Sequence, residues 1–385
     1  MRSIAFGFLL ATVALGQSEL RQEGPYWVET LSGTLSLQAA ERLKVSFPGY
    51  VTIEGTPGLE LSYVVTRKVK TGREADARRL LGENKLQAQV RGRTGILSMD
   101  APSSHRVRSE VRLQVPASLR AVQCETSGGN IMVTGLDGEL QAETAGGRVQ
   151  LDRIKGPTVV KTAGGTVELG EMYGPVRCSS SGGTIQVKRV EGAVEFETAG
   201  GDIRVGRAGG LVRAVTAGGN IVVEDAAAGV LANTGGGVIK ILKAGGQVRA
   251  ESGGGAIKVG YARGVECTSG GGAIYLEDVS GALYAHTAVG SIVARLLEGQ
   301  KILDSQIRTS TGDITVYIPS SLSVTIMARS EAGMGRGRIV SDFPEVQVAL
   351  EEAEVAAAKA RGALNGGGPT LELATSSGSI FLRRR

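Results

Sequence analysis

An isoleucine or valine recurs at one fixed interval behind a glycine corner through the middle of the chain, and few folds accept so strict a spacing. Ile131, Val149, Val167, Ile185, Ile203, Ile221, Ile239 and Ile257 stand 18 apart. Ile274 follows after 17, Ile292 after 18 and Ile314 after 22. The corners before them read Ser127-Gly128-Gly129, Ala145-Gly146-Gly147 and Ala163-Gly164-Gly165, and continue to Gly235-Gly236-Gly237 and Gly270-Gly271-Gly272. Each interval holds two short alternating runs, such as Ile203-Arg204-Val205 and Val212-Arg213-Ala214-Val215-Thr216. Period-2 alternation over so few residues between glycines means strands. The glycines are expected to supply positive φ and close backbone approach.

Two such strands cannot bury an apolar face alone. Stacked as successive coils, they pair in parallel with their equivalents above and below, and the inward positions become ladders. One ladder is Ile/Val and another Ala/Val/Cys/Phe. A third is Thr126, Thr144, Thr162, Ser180, Thr198, Thr216, Thr234, Ser252, Ser269 and Thr287, with hydroxyls directed along the stack or to the glycine corner. The expected fold is therefore all-β: a parallel β-solenoid over 121–322, whose ten or so coils at about 4.8 Å each would reach about 50 Å. A meander of antiparallel hairpins is the competing layout, and handedness stays open. Composition agrees, since 58 glycines and 4% aromatics among 385 residues exclude an aromatic-rich globular core, while 42% apolar residues exclude a disordered chain.

The cysteines probe this layout. Cys124, Cys178 and Cys267 all fall on the small inward position. Cys124 and Cys178 are three coils apart, about 14 Å by strand spacing, whereas a disulfide spans about 4.4–6.8 Å. Three buried free thiols are expected.

Outside the register, 17–120 reads as a β-rich N-terminal cap domain, with strand-like runs from Leu35 to Val115 and a helical Ala75 to Leu81. Residues 323–385 read as a C-terminal β cap, with a short helix at 351–361 ended by Gly366-Gly367-Gly368 and a last corner-and-strand unit, Thr375 to Leu382, closing the stack. Val115-Pro116-Ala117-Ser118-Leu119 recurs as Ile318-Pro319-Ser320-Ser321-Leu322, which suggests edge or turn positions that end the ladder. At the amino terminus, Arg2, the apolar run Ile4 to Leu15 and the small residues Ala14 and Gly16 have the form of a signal peptide, residues 1–16, cleaved before Gln17. No cysteine follows that point directly, and no later segment forms an uninterrupted apolar run long enough to span a bilayer. An exported chain without an integral membrane segment is expected, periplasmic, cell-surface or extracellular.

Chemistry is sparse. His105 and His286 have no matching acid or cysteine motif. The glycine corners lack the Lys-Ser/Thr of a phosphate loop, and Gly200-Gly201-Asp202 has a lone Asp where a calcium roll needs one per turn. Outward acids such as Glu143, Glu195, Glu197, Glu251 and Glu266 are scattered, whereas a glycosidase needs two carboxylates on one bond. The net charge of +5 is spread out; Arg336-Gly337-Arg338 and Arg383-Arg384-Arg385 are the clear basic runs, so nucleic acid is not an expected partner. No catalytic residue, cofactor or metal ligand is assigned.

The signal-like start, the lead-in ending Val115-Pro116, the Thr-Ala-Gly-Gly-x-Ile-x-Val coils and the closing Thr375-Ser376-Ser377-Gly378-Ser379-Ile380 together resemble the bacterial putative-adhesin family of β-strand-repeat envelope proteins, a domain of unknown function. The resemblance implies a non-enzymatic, adhesin-like scaffold or binding protein whose partner is an envelope polysaccharide or a surface protein. A self-assembling filament, joined end to end, is the alternative, and a carbohydrate-active β-helix enzyme is a third reading. Exposed candidates for contact are Val159, Val215, Leu231, Tyr275 and Tyr284.

Overall fold

The structure, a computed structural model, describes residues 14–38, 40–101, 106–331, 338–351 and 357–385. It is nearly all-β, with one helix, Glu74–Gly82, among the described residues. The chain divides into two compact units, Met1–Gly183 and Thr184–Arg385.

Both units are built from parallel coils in the expected register. In the first, Ile131 pairs with Val149 and Val149 with Val167, while Thr126, Thr144 and Thr162 stack on the other face. In the second, Ile203, Ile221, Ile239 and Ile257 stack in the same way. The shortened interval that follows is absorbed by a bulge between Arg263 and Val265, where Gly264 takes φ 90°. The lengthened interval before Ile314 still brings that residue onto Ile292. These inward Ile and Val side chains are fully buried, so each contributes about 1.5–3 kcal/mol.

The Thr/Ser ladder is a hydrogen-bond staple. Thr234 Oγ1 donates to the Gly219 carbonyl at 2.8 Å and accepts the Gly237 N–H at 3.1 Å. Thr144, Ser252 and Ser269 repeat the pattern. A hydroxyl can donate once and accept twice, so one side chain ties its own corner and the corner of the coil before it. The glycines serve close approach more than positive φ. A Cβ on Gly147, Gly165, Gly237 or Gly255 would lie within 2.0 Å of the preceding corner's carbonyl oxygen. The middle glycines Gly146 and Gly236 have open space, and neither they nor Gly147, Gly165, Gly237 or Gly255 has positive φ.

Both chain ends depart from simple stacking. In the first unit, strands Arg42–Phe47 and Tyr50–Thr56 form a coil around Gly49, in parallel register with Ala121–Thr126 and Ile131–Leu136. The opposite sides of the same two strands pair in parallel with Thr94–Ser98 and Val107–Pro116. An early segment thus sits between two later ones. Beyond it, Glu60–Lys70, Tyr26–Ser36 and Ala14–Glu23 extend one face antiparallel. Helix Glu74–Gly82 packs Ala77 and Leu81 on Val69, with Leu20, Trp27, Leu80 and Val107 around them.

The second unit repeats the device in reverse. Thr370–Ser377 and Ser379–Arg384, the last strands of the chain, lie between Ser305–Thr311/Ile314–Ile318 and Val324–Glu331/Arg338–Ser341. The corner-and-strand unit read as the closing cap is therefore an interior coil. The two proline motifs mark these skips. After Pro116, and again after Pro319, the chain passes over one coil position, about 9–10 Å, and another segment fills the gap. Leu119 N–H bonds Pro116 O, and Leu322 N–H bonds Pro319 O, so both are turns. The strands they end are paired on both sides, not edges.

The 351–361 section holds no helix among its described residues. Gln347–Glu351 and Ala357–Leu364 are arms of an antiparallel hairpin laid against Val324–Glu331, and 352–356 lie outside the described residues. Ala358 and Ala360 are buried while Lys359 and Arg361 are exposed, so strand pairing with a ready partner overrides alanine's helix preference.

Candidate functional site

The conspicuous residues of the repeat are used up inside. Cys124, Cys178 and Cys267 are free and buried. Burial pushes the Cys124 and Cys178 thiols up to about 12, with Glu125 adding to the effect on Cys124, and it raises Cys267 further. None has thiolate character at neutral pH. Cys124 and Cys178 are separated on one ladder by Ala142 and Val160. His286 is exposed on an outer strand face, and His105 lies outside the described residues. Among the described residues no group of three or more His, Cys, Asp or Glu converges. No described helix is long and apolar enough to cross a membrane.

Three of the outward acids pair along or across strands. Glu251 accepts from Asn233 at 3.1 Å and from Arg249 at 3.0 Å, Glu266 lies 3.6 Å from Arg249, and Glu195 lies 3.9 Å from Arg213. Such exposed pairs contribute about 0–1 kcal/mol each.

Of the apolar residues expected to be exposed, Tyr275 and Tyr284 are, at 39% and 48%. Val159, Val215 and Leu231 are half-buried. Long neighbours flank them on adjacent strands, Gln141 and Arg177 beside Val159, and Arg213 and Arg249 beside Leu231.

Tyr275 is different. On the outer face of the second unit it heads the row Tyr275, Val293, Thr315, Phe381 and Val340, each residue in register with the next. Four strand steps make about 19 Å. Beside the row run Arg295, Tyr317 and Arg383, also in register. Cations lie over the rings: Lys258 at 5.4 Å from Tyr275, Arg295 at 5.3 Å from Tyr317 and Arg383 at 5.3 Å from Phe381. Glu277 stands 3.5 Å from Arg295, and Asp342 accepts from Arg383 at 2.9 Å. The Arg384 backbone N–H and then the Arg383 guanidinium hold Asp342 below the usual carboxylate range. Lys240 continues the row before Lys258. Sequence reasoning missed Phe381 and Val340 because the wedged C-terminal coil separates spatial from sequential neighbours. The available signal was Gly378-x-Ile380-x-Leu382, which repeats the Gly-x-Ile-x-Val form.

A shallower depression of about 650 Å³ lies on the other outer face of this unit, lined by Arg308, Met327, Arg329, Lys359, Arg361 and Glu372. Its charges are largely internal: Arg308 bonds Glu372 at 2.8 Å and Arg329 pairs with Glu331 at 3.2 Å.

No protein-family model and no curated protein matches the sequence. Three solved structures align with it at low identity. A putative cell adhesion protein from Clostridium sporogenes covers 93% of this chain and 100% of its own, at 10% identity and TM-score 0.20. A putative adhesin from Parabacteroides distasonis covers 92% and 97%, at 12% identity and TM-score 0.24. A putative lipid binding protein from Parabacteroides distasonis covers 75% and 97%, at 13% identity and TM-score 0.26. Scores this low assign no activity.

Proposed function

We propose that this chain is an exported, non-enzymatic envelope protein with an adhesin-like role, which meets its partner through the outer face of its coils. One observation carries the reading: the repeated Gly, Thr, Ile/Val and Cys positions serve folding, and the outer face of the second unit carries the extended row Tyr275, Val293, Thr315, Phe381 and Val340. Extended rows of this kind suit long or repetitive partners. A small substrate instead needs a concave site with converging polar groups. The signal-like N-terminal sequence supports export.

The test is fractionation of cells expressing the full chain, followed by sedimentation of the purified protein with isolated bacterial envelopes. Recovery outside the cytoplasm and co-sedimentation are expected. Retention in the cytoplasm, or no binding to envelopes, would overturn the reading.

A further inference from the structure

We infer that the Tyr275–Val340 row with its flanking cations binds an anionic linear polysaccharide. The inference rests on the envelope reading above and names the ligand class for that surface. The strands carrying Tyr275, Val293, Thr315 and Phe381 are each paired on both sides along the row. No free edge remains along those four strands to add a peptide strand, and what they offer a partner is side chains.

Those side chains are of three kinds. Tyr275, Tyr317 and Phe381 supply ring surface, Val293 and Val340 continue it, and Thr315 adds a hydroxyl. Lys240, Lys258, Arg295 and Arg383 supply positive charge. Two of the acids on this face, Glu277 and Asp342, each already contact an arginine. Lys240 and Lys258 extend the row by two cationic positions. The two arginines lie against rings, which fixes their planes and lowers the entropy lost when an anion is bound.

A chain of uronic acid or similar sugars matches this list. Its C–H faces pack on rings and valines, its hydroxyls meet Thr315 and the Tyr275 phenol, and its regularly spaced carboxylates meet the cations. The five-rung row, about 19 Å long, suits a polymer of successive like units better than a single sugar.

The experiment is affinity electrophoresis of the full chain through gels containing polygalacturonate, with its fully methyl-esterified form as the neutral control. Retardation by the charged polymer alone is expected, and it should weaken as salt rises. Tyr275→Ala, and separately Lys240→Glu with Lys258→Glu, should weaken binding at least tenfold with unchanged melting curves. Tyr284→Ala and Arg361→Glu should bind as the parent does. No retardation, equal retardation by the neutral polymer, or loss on Arg361→Glu in place of the row variants would overturn the inference. Equal binding of single-stranded RNA through the same residues would also overturn it, by reassigning the face. Envelope binding that persists undiminished in the row variants would sink this site and leave the envelope reading standing. Failure of the parent protein to bind envelopes would sink that reading itself.

Discussion

The two ends of the chain solve one topological problem with different materials. At each, a coil far away in sequence is wedged between two that adjoin in sequence, and a proline turn marks the skip. The amino-terminal wedge, Arg42–Thr56, is backed by antiparallel strands, a helix and a buried ion pair. Arg67, 5% exposed, pairs through two guanidinium nitrogens with Glu29 and donates to the carbonyls of Leu81 and Asn84 at 2.6 and 2.7 Å. The polar ties of the carboxyl-terminal wedge, Thr370–Arg384, lie at the surface instead. These are Glu372 with Gln306 and Arg308, Asp342 with Arg383, and Arg385 with Asp278 at 2.6 Å and Leu296 O at 2.7 Å. The polar lock at the amino end is buried, and the polar latch at the carboxyl end is exposed.

Sequence distance alone cannot explain the difference. Val51 pairs with Ile131 and Ile314 with Ile380, and both separations are several times that of the regular coils. Closing the longest of these loops costs only about 1.3 kcal/mol more than closing one coil. Burial outweighs that several times over, so removing a wedge gives the largest effect. Deleting 370–385 withdraws Leu371, Leu373, Ile380 and Leu382, all fully buried, at about 6–12 kcal/mol as an upper estimate. That rivals the whole stability of a domain. Calorimetry should show the transition of the second unit lost while that of the first persists. An intact second transition would break the comparison.

Arg67→Met should cost the amino end about 3–5 kcal/mol, because it removes the buried guanidinium that pairs with Glu29 and donates to two carbonyls. Arg383→Met should shift the carboxyl end little, as an exposed pair does. Equal shifts in urea unfolding would erase the distinction between lock and latch. In the regular coils, Gly237→Ala forces a Cβ to 2.0 Å from Gly219 O and should cost about 1–3 kcal/mol or more. Gly236→Ala, in open space, should be nearly neutral. The smallest effect is on pH. Asp342 and Glu372 are both depressed in the fold, Asp342 chiefly by the Arg384 N–H and Glu372 chiefly by Gln306. Their contribution is complete above the ordinary carboxylate pKa of about 4 and is lost as pH falls through the lowered values. Acidification should raise hydrogen exchange in Thr370–Arg384 before it does so in Arg42–Thr56.

The regular coils were legible in sequence because each strand's partner lies one constant interval away and uses the same residue types. The Thr ladder and the isolated thiols followed from that interval. The wedges were illegible because their intervals are long and occur once. Phe47-Pro48-Gly49-Tyr50-Val51 carries the corner, yet its proline and single glycine hide the likeness to Thr126-Ser127-Gly128-Gly129-Asn130-Ile131. The alanine-rich hairpin misled because alanine's local preference says nothing of a waiting strand. The Tyr275–Val340 row was half visible, in Tyr275, while Phe381 needed the wedge to be known first.

The wedge itself can be tested by crosslinking. Thr315 is adjacent to Phe381, and Phe381 to Val340. Adjacent strands place Cα atoms about 4.8 Å apart, and two steps place them about 9.6 Å apart. A disulfide tolerates only the first. Under mild oxidation, Thr315→Cys with Phe381→Cys should form a disulfide detectable by peptide mass mapping, and Thr315→Cys with Val340→Cys should not. Coils stacked in chain order would give the reverse, and that result would contradict the wedge.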